Sequence, residues 1–248
     1  VLDGKKKKIE EAEKALIEAN SKFYSYEQPQ QMHEQKDDEV TYDNDEWQYI
    51  HRTIYHGRIE EFDKLIHDPS ILSSLTTDGQ NVLHMACLYG RINFIDYIRS
   101  HYPEQFDNLL YKFDNQGLNP VHRAYYAGES DTFDYLLTKV DSRLNEIPTR
   151  DNQTVLHIAA MYGHYNLALK TIQAHPEFLL KCDDGGHTPL HSAIYGGEAL
   201  MVRYLMTNHY QEINETVHTT IADLVELAEY YHPELVETLQ TPLVGNAE

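Results

Sequence analysis

The chain has 248 residues, 41% of them apolar, and its 40 acidic side chains outnumber 20 basic ones, for a net charge of -20. That apolar content is ample for a folded core, while the negative field repels phosphate backbones and anionic lipid surfaces, which argues against nucleic acid and membranes as partners and favours basic protein patches. Only Cys87 and Cys182 are present, no apolar run approaches the ~18 residues of a membrane span, and no leader with a basic head and apolar core opens the sequence. These features predict a cytoplasmic protein of a reducing compartment, and a start at Val1 in place of Met suggests a trimmed chain or a piece of a longer one.

Residues 1–44 differ in character from the rest. Lys5 to Lys8 lead into a run of good helix formers in which Ile9, Ala12, Leu16, Ala19 and Phe23 recur at spacings of three and four, one apolar stripe along a helix. The stripe is about two heptads long, shorter than a coiled coil needs, so it predicts a helix that docks on the neighbouring part of the chain or links to another domain. From Gln28 to Glu46, glutamines and acids leave little to bury, as in a linker.

From residue 45 to 240 the chain repeats itself. His51, His84, His122, His157 and His191 are each followed by a glycine at one fixed offset, Gly57, Gly90, Gly128, Gly163 and Gly197, and successive histidines are 33, 38, 35 and 34 residues apart. The unit is clearest from Asp78 to Ser100: a turn at Asp78-Gly79, a short helix from Val82 to Tyr89, a stop at Gly90 and a second helix from Ile92 to Ile98. Helices so short, each with one uncovered apolar stripe, do not hold alone in water, so the units must stack. Outer-helix apolar positions recur as Phe133, Leu136 and Leu137, then Leu167 and Ile172, then Val202, Leu205 and Met206. Pro103-Glu104-Gln105-Phe106 and His175-Pro176-Glu177-Phe178 echo each other and predict an extra proline-led turn after the second and fourth units.

The phrases Val82-Leu83-His84-Met85-Ala86, Pro120-Val121-His122-Arg123-Ala124, Val155-Leu156-His157-Ile158-Ala159 and Thr188-Pro189-Leu190-His191-Ser192-Ala193 resemble the T-P-L-H-x-A signature of the ankyrin repeat, a unit of ~33 residues. The resemblance implies an all-α solenoid of about six helix-turn-helix units, spanning 45–75, 76–112, 113–148, 149–182, 183–216 and 217–240, behind the N-terminal extension and before a tail, 241–248. It also implies that the recurring histidine is structural, and copies a full repeat apart cannot share one ion. Cys87 lies three residues after His84, but no third orienting group is identifiable, and no phosphate-loop, hydrolase or metalloprotease motif occurs. The expectation is a protein with no enzymatic chemistry, no cofactor, no metal and no small-molecule substrate.

In ankyrin arrays the residues before each helix-ending glycine line a concave groove, here Tyr55, Tyr89, Tyr126, Met161, Tyr162 and Tyr195; the turn tips add Thr77, Gln80, Gln116, Leu118, Arg150, Gln153 and His187. Tyrosine supplies contact area with a polar end at little rotamer cost, the profile of an interface anchor; the alternative is that the rings pack against the next repeat. The resemblance thus implies a protein-protein interaction module that holds a basic or amphipathic segment of another protein. The composition is similar in style to effector arrays of intracellular bacteria such as Legionella and Coxiella, which would place the partner in a host cytosol. Two other roles stay open: the targeting domain of a larger enzyme, and an intramolecular scaffold.

Overall fold

A computed structural model describes residues 49–240. The expected N-terminal helix, the linker, Trp47 and the tail 241–248 lie outside the described residues. Within them the first repeat is α1 (Tyr49–Tyr55) and α2 (Ile59–Leu65), and the second is α3 (Val82–Leu88) and α4 (Ile92–His101) with an added α5 (Pro103–Leu110). The third is α6 (Pro120–Ala127) and α7 (Ser130–Lys139), the fourth α8 (Val155–Met161) and α9 (Tyr165–Ala174), the fifth α10 (Pro189–Tyr195) and α11 (Ala199–Val217). A sixth, α12 (Ile221–Tyr231) and α13 (Val236–Gln240), ends the described array, which holds no strand. The fold class is the all-α repeat solenoid that the periodicity implies.

From the second repeat on, each inner helix starts where a short polar side chain can take up free amides. Asn81 Oδ1 accepts from the amides of Leu83 and His84 at 2.9 and 3.1 Å, and Asn119 accepts from His122 at 2.9 Å. The histidine returns the favour: Nδ1 of His84, His122, His157 and His191 accepts from the amide of its own cap residue at 3.0–3.2 Å. A ring nitrogen that accepts from an amide carries no proton, so the proton sits on Nε2 and is donated onward. His84 Nε2 reaches the Leu118 carbonyl at 3.0 Å, His122 that of Ile147 at 2.9 Å, and His157 that of His187 at 3.0 Å. One side chain therefore closes its own helix and ties it to the following turn. Burial drives the pKa of these three rings, and that of His191, down to about 4, which keeps them neutral and in the required tautomer.

The five helix-ending glycines have φ between 64° and 73°, the left-handed region that turns the chain back into the outer helix without a Cβ clash. Outer helices then pack through Phe62 against Phe94, with ring centroids 5.2 Å apart, and through the buried Phe133, Leu136, Leu167, Ile172, Val202, Leu205 and Met206. Buried Tyr125 of α6 shares a 2.8 Å hydrogen bond with Thr171 of α9, satisfying both hydroxyls. The two proline-led segments take different forms: α5 is a helix pinned by Phe106, Leu109 and Leu110, whereas Pro176–Leu180 is a 3₁₀ turn pinned by Phe178 and Leu179.

Candidate functional site

Between one outer helix and the next inner helix the chain makes a five-residue finger, at 76–80, 114–118, 149–153 and 183–187. In each, the first amide donates to the carbonyl of the fifth residue, from Thr76 to Gln80, Asp114 to Leu118, Thr149 to Gln153 and Asp183 to His187, all at 2.9–3.0 Å. The first side chain then braces the turn from within. Thr76 and Thr149 hydroxyls accept from the amides of Gln80 and Gln153, and Asp114 Oδ1 accepts from those of Gln116 and Leu118. The fourth position is left-handed, supplied by Gly79, Gly117 and Gly186 and, in the third finger, by Asn152 at φ 62°.

The fingers are tied to one another. The Asn115 amide donates to the Asp78 carbonyl at 2.9 Å, Arg150 to Gly117 at 3.1 Å and Asp184 to Asp151 at 3.0 Å. Main-chain bonds thus run from finger to finger, and the row is a rigid edge whose second and third residues point outward. Thr77, Arg150, Asp151 and Asp184 are exposed, with Gln116, Gln153 and His187 half-buried. The row is acidic at its C-terminal end, where burial and then the charges of Asp184 and Asp183 push the Asp151 carboxyl above its ordinary value.

Several residues expected on the open surface lie elsewhere. Leu118 is 2% exposed and Gln80, in the same place of its finger, is also buried, whereas Gln153 and His187 there stay half-buried. The tyrosines before the glycines form pairs between repeats. Tyr55 meets Tyr89 at 5.0 Å between centroids, Tyr126 meets Tyr162 at 4.6 Å, and Tyr195 meets Tyr231 at 4.9 Å, all steeply tilted or edge-on. In consequence Tyr89, Tyr126 and Tyr195 are 5–6% exposed and Met161 8%, while Tyr55, Tyr162 and Tyr231 keep a face open. The tyrosines therefore stand as three half-open pairs, because an edge-to-face contact covers one ring of each pair.

One contributor, Arg123, went unrecognised in the sequence. Arg123 is clamped in the interior by Asp114, Nε to Oδ2 at 2.7 Å, and by Gln116 Oε1 at 2.8 Å, with its guanidinium 5.4 Å from the Tyr126 ring centroid. It therefore fixes the second finger onto α6. His187 bonds the Tyr195 hydroxyl at 3.1 Å and lies 3.3 Å from Asp183, tying the fourth finger to α10. The signal for Arg123 is a charged residue in an apolar phrase, whose partner nine residues earlier in the chain is visible only once the finger is folded. Among the described residues no cluster of three or more His, Cys, Asp or Glu is arranged to hold a metal, and no helix is long and apolar enough to cross a membrane. Cys87 is fully buried, and burial pushes its thiol far up, as in a packed core side chain.

A stacked array of paired helices with a finger edge is the architecture of a helical-repeat interaction module, in which neighbouring units build one continuous surface. The chain belongs to the ankyrin-repeat family: the family model for ankyrin repeats (3 copies) matches residues 50–147 and 139–217. It is 27% identical over 150 residues to alpha-latrotoxin-Lh1a of Latrodectus hasselti, covering 59% of this chain and 10% of that protein. It is 30% identical over 137 residues to the human transient receptor potential cation channel subfamily A member 1, covering 52% of this chain and 11% of that protein. The match thus spans about a tenth of the length of these relatives.

Proposed function

We propose that this array binds a basic or amphipathic segment of another protein along the finger edge and the groove beside it. The observation that carries the reading is the finger row itself: a rigid, hydrogen-bonded scaffold presents outward side chains that differ from unit to unit, the condition under which loops carry specificity. The acidic end formed by Asp151, Asp183 and Asp184, on a chain of net charge -20, favours a cationic partner and speeds its approach. The half-open faces of Tyr55, Tyr162 and Tyr231 supply apolar contact beside it. The compositional likeness to bacterial effector arrays extends the reading to a host cytosolic partner. The length of the relatives favours an array that serves larger machinery, as a targeting or scaffolding part.

The test replaces Asp151 and Asp184 together by lysine. Both side chains are exposed, so helix content and melting should be nearly unchanged. Partners captured from cytosolic extract by the unaltered chain and crosslinked to the fingers should be lost by the variant. Capture of the same proteins by both forms, or crosslinks confined to the outer helices, would sink the reading.

A further inference from the structure

The main-chain ladder that ties the fingers together stops one unit early. In fingers two, three and four the second residue donates its amide to the finger before, Asn115 to Asp78, Arg150 to Gly117 and Asp184 to Asp151, so each receiving finger accepts through the carbonyl of its third or fourth residue. In the fourth finger those places are Gly185 and Gly186, and among the described residues no donor reaches either carbonyl.

The donor is missing because the fifth finger is missing. Five finger residues precede each of the caps Asn81, Asn119, Thr154 and Thr188, and the same count back from Thr220, the cap of α12, gives Glu215 to Thr219. Helix α11 runs through that stretch to Val217, which takes the amide of Thr216, the expected donor, into its own ladder. The fourth place alone keeps its form, with His218 left-handed at φ 58°.

The end so left is bare, fixed and acidic. Fingers one to three carry a side chain at the third place, Asp78, Gln116 and Asp151, whereas the fourth finger carries none at its third or fourth, and a Cβ on Gly186 would meet nothing within 4 Å. Asp184, Gly185 and Gly186 are all exposed. The tip is nonetheless held in shape: Asp183 Oδ1 accepts from the amides of Gly185 and His187 at 2.9 Å, the Asp183 carbonyl accepts from Gly186 at 3.0 Å, and Asp184 is bonded back to Asp151. Exposed Asp223, at the start of α12, lies with Asp183 within electrostatic reach of His191, so carboxylates flank the tip on both sides. The basic side chains of the same stretch are Lys181 and Arg150, and Arg150 turns toward the second finger, its guanidinium 5.7 Å from the Phe113 ring centroid.

We propose that the fourth finger is the main-chain seat of the partner: an extended segment rich in arginine or lysine lies across it, donating a backbone amide to Gly185 or Gly186 in place of the absent fifth finger, with its basic side chains on Asp184 and Asp151. This rests on the function proposed above and narrows it to one end of the finger edge and one class of segment. An open ladder end is a template for another stretch of backbone. Glycine interposes no side chain, and carbonyls already held in place cost little further ordering when a donor arrives. Backbone pairing sets the register, and the carboxylates select a cationic sequence beside it.

Carbonyl carbon-13 NMR of the whole chain tests this with a stated probe, the acetylated and amidated peptide Arg-Gly-Arg-Gly-Arg-Gly, against a counterpart of equal charge with every backbone nitrogen methylated. The first should shift the Gly185 and Gly186 carbonyls saturably and more than any other finger carbonyl. The counterpart should bind about five- to tenfold more weakly and leave those carbonyls in place, the effect of one lost hydrogen bond. Asp184→Asn, which keeps the amide that bonds Asp151, should weaken both peptides by a similar factor. Equal affinity for the two peptides, or shifts centred on the first three fingers, would overturn the proposal and leave the finger edge standing as the binding face. If neither peptide reaches any finger, both the proposal and the reading beneath it fail.

Discussion

Acid should dismantle this array well above the pH at which carboxylates titrate, because its structural histidines are neutral by construction. In the folded chain His84, His122, His157 and His191 have pKa values near 4, against 6.5 for an unperturbed ring. Protonation at Nδ1 removes the acceptor that caps each inner helix and puts a charge in the interior, so the unfolded chain binds protons first as pH falls. Their contribution is fully present above about pH 6.5 and is lost as pH falls toward the folded value. At about pH 5 each ring then costs ~2 kcal/mol, and the four together roughly 8, comparable with the whole stability of a typical domain. Urea unfolding followed by circular dichroism at about pH 7.5, 6.5, 5.5 and 5 should show the free energy falling by about 1.5 kcal/mol between the first two and more steeply below. Replacing His157 by Asn should remove about a quarter of that pH dependence. Stability that stays level from neutrality to about pH 5 would refute the reasoning. So would nitrogen NMR shifts placing the proton on Nδ1 of these rings.

Three further changes probe single contacts. Gly196→Ala should lower stability by about 1–3 kcal/mol in thermal melts although its φ is ordinary, since the added methyl meets the Met161 carbonyl; an unchanged melting temperature would mean the helices separate freely there. Arg123→Met strands the buried Asp114 carboxylate and should cost ~3–5 kcal/mol, most of it recovered on adding Asp114→Asn, which keeps the oxygen that braces the finger; a double-mutant cycle with no coupling would contradict the pairing. At the left-handed Asn152, replacement by Ala should cost about 1 kcal/mol and replacement by Gly nothing, and equal losses in chemical denaturation would show that the side chain, not φ, matters.

The repeat architecture is legible in the chain because two residue types with fixed geometric duties recur together: a histidine that caps its helix and bonds forward, and a glycine that turns left-handed. Helix starts at Val82 and Val155 and the proline-led segments after repeats two and four follow from the same local chemistry. The length of α11, 19 residues to a left-handed His218, does not, since no glycine or proline marks that end. Nor does the burial of Leu118. A turn tip and the residue leaving it differ by one or two places in sequence, and only the fold of the finger, with Asp114 drawing its amide inward, separates them.

The tyrosines show why sequence position alone misleads about a binding face. Each stands near a helix end that the family geometry turns toward the groove, yet its exposure is decided by the neighbouring repeat: opposite another tyrosine one ring is covered and its mate left half open. Tyr126, with Tyr162 on one side and the Arg123 guanidinium near its face, is already committed to the array. Substituting it therefore tests folding, whereas the outer face of Tyr162 and the side chains of Thr77, Asp151 and Asp184 can meet a ligand without that cost. On the proposed function, affinity and stability are coupled at the tyrosine pairs and separable at the fingers. On that reading, finger side chains can be exchanged to alter partner choice without disturbing the histidine ladder beneath them.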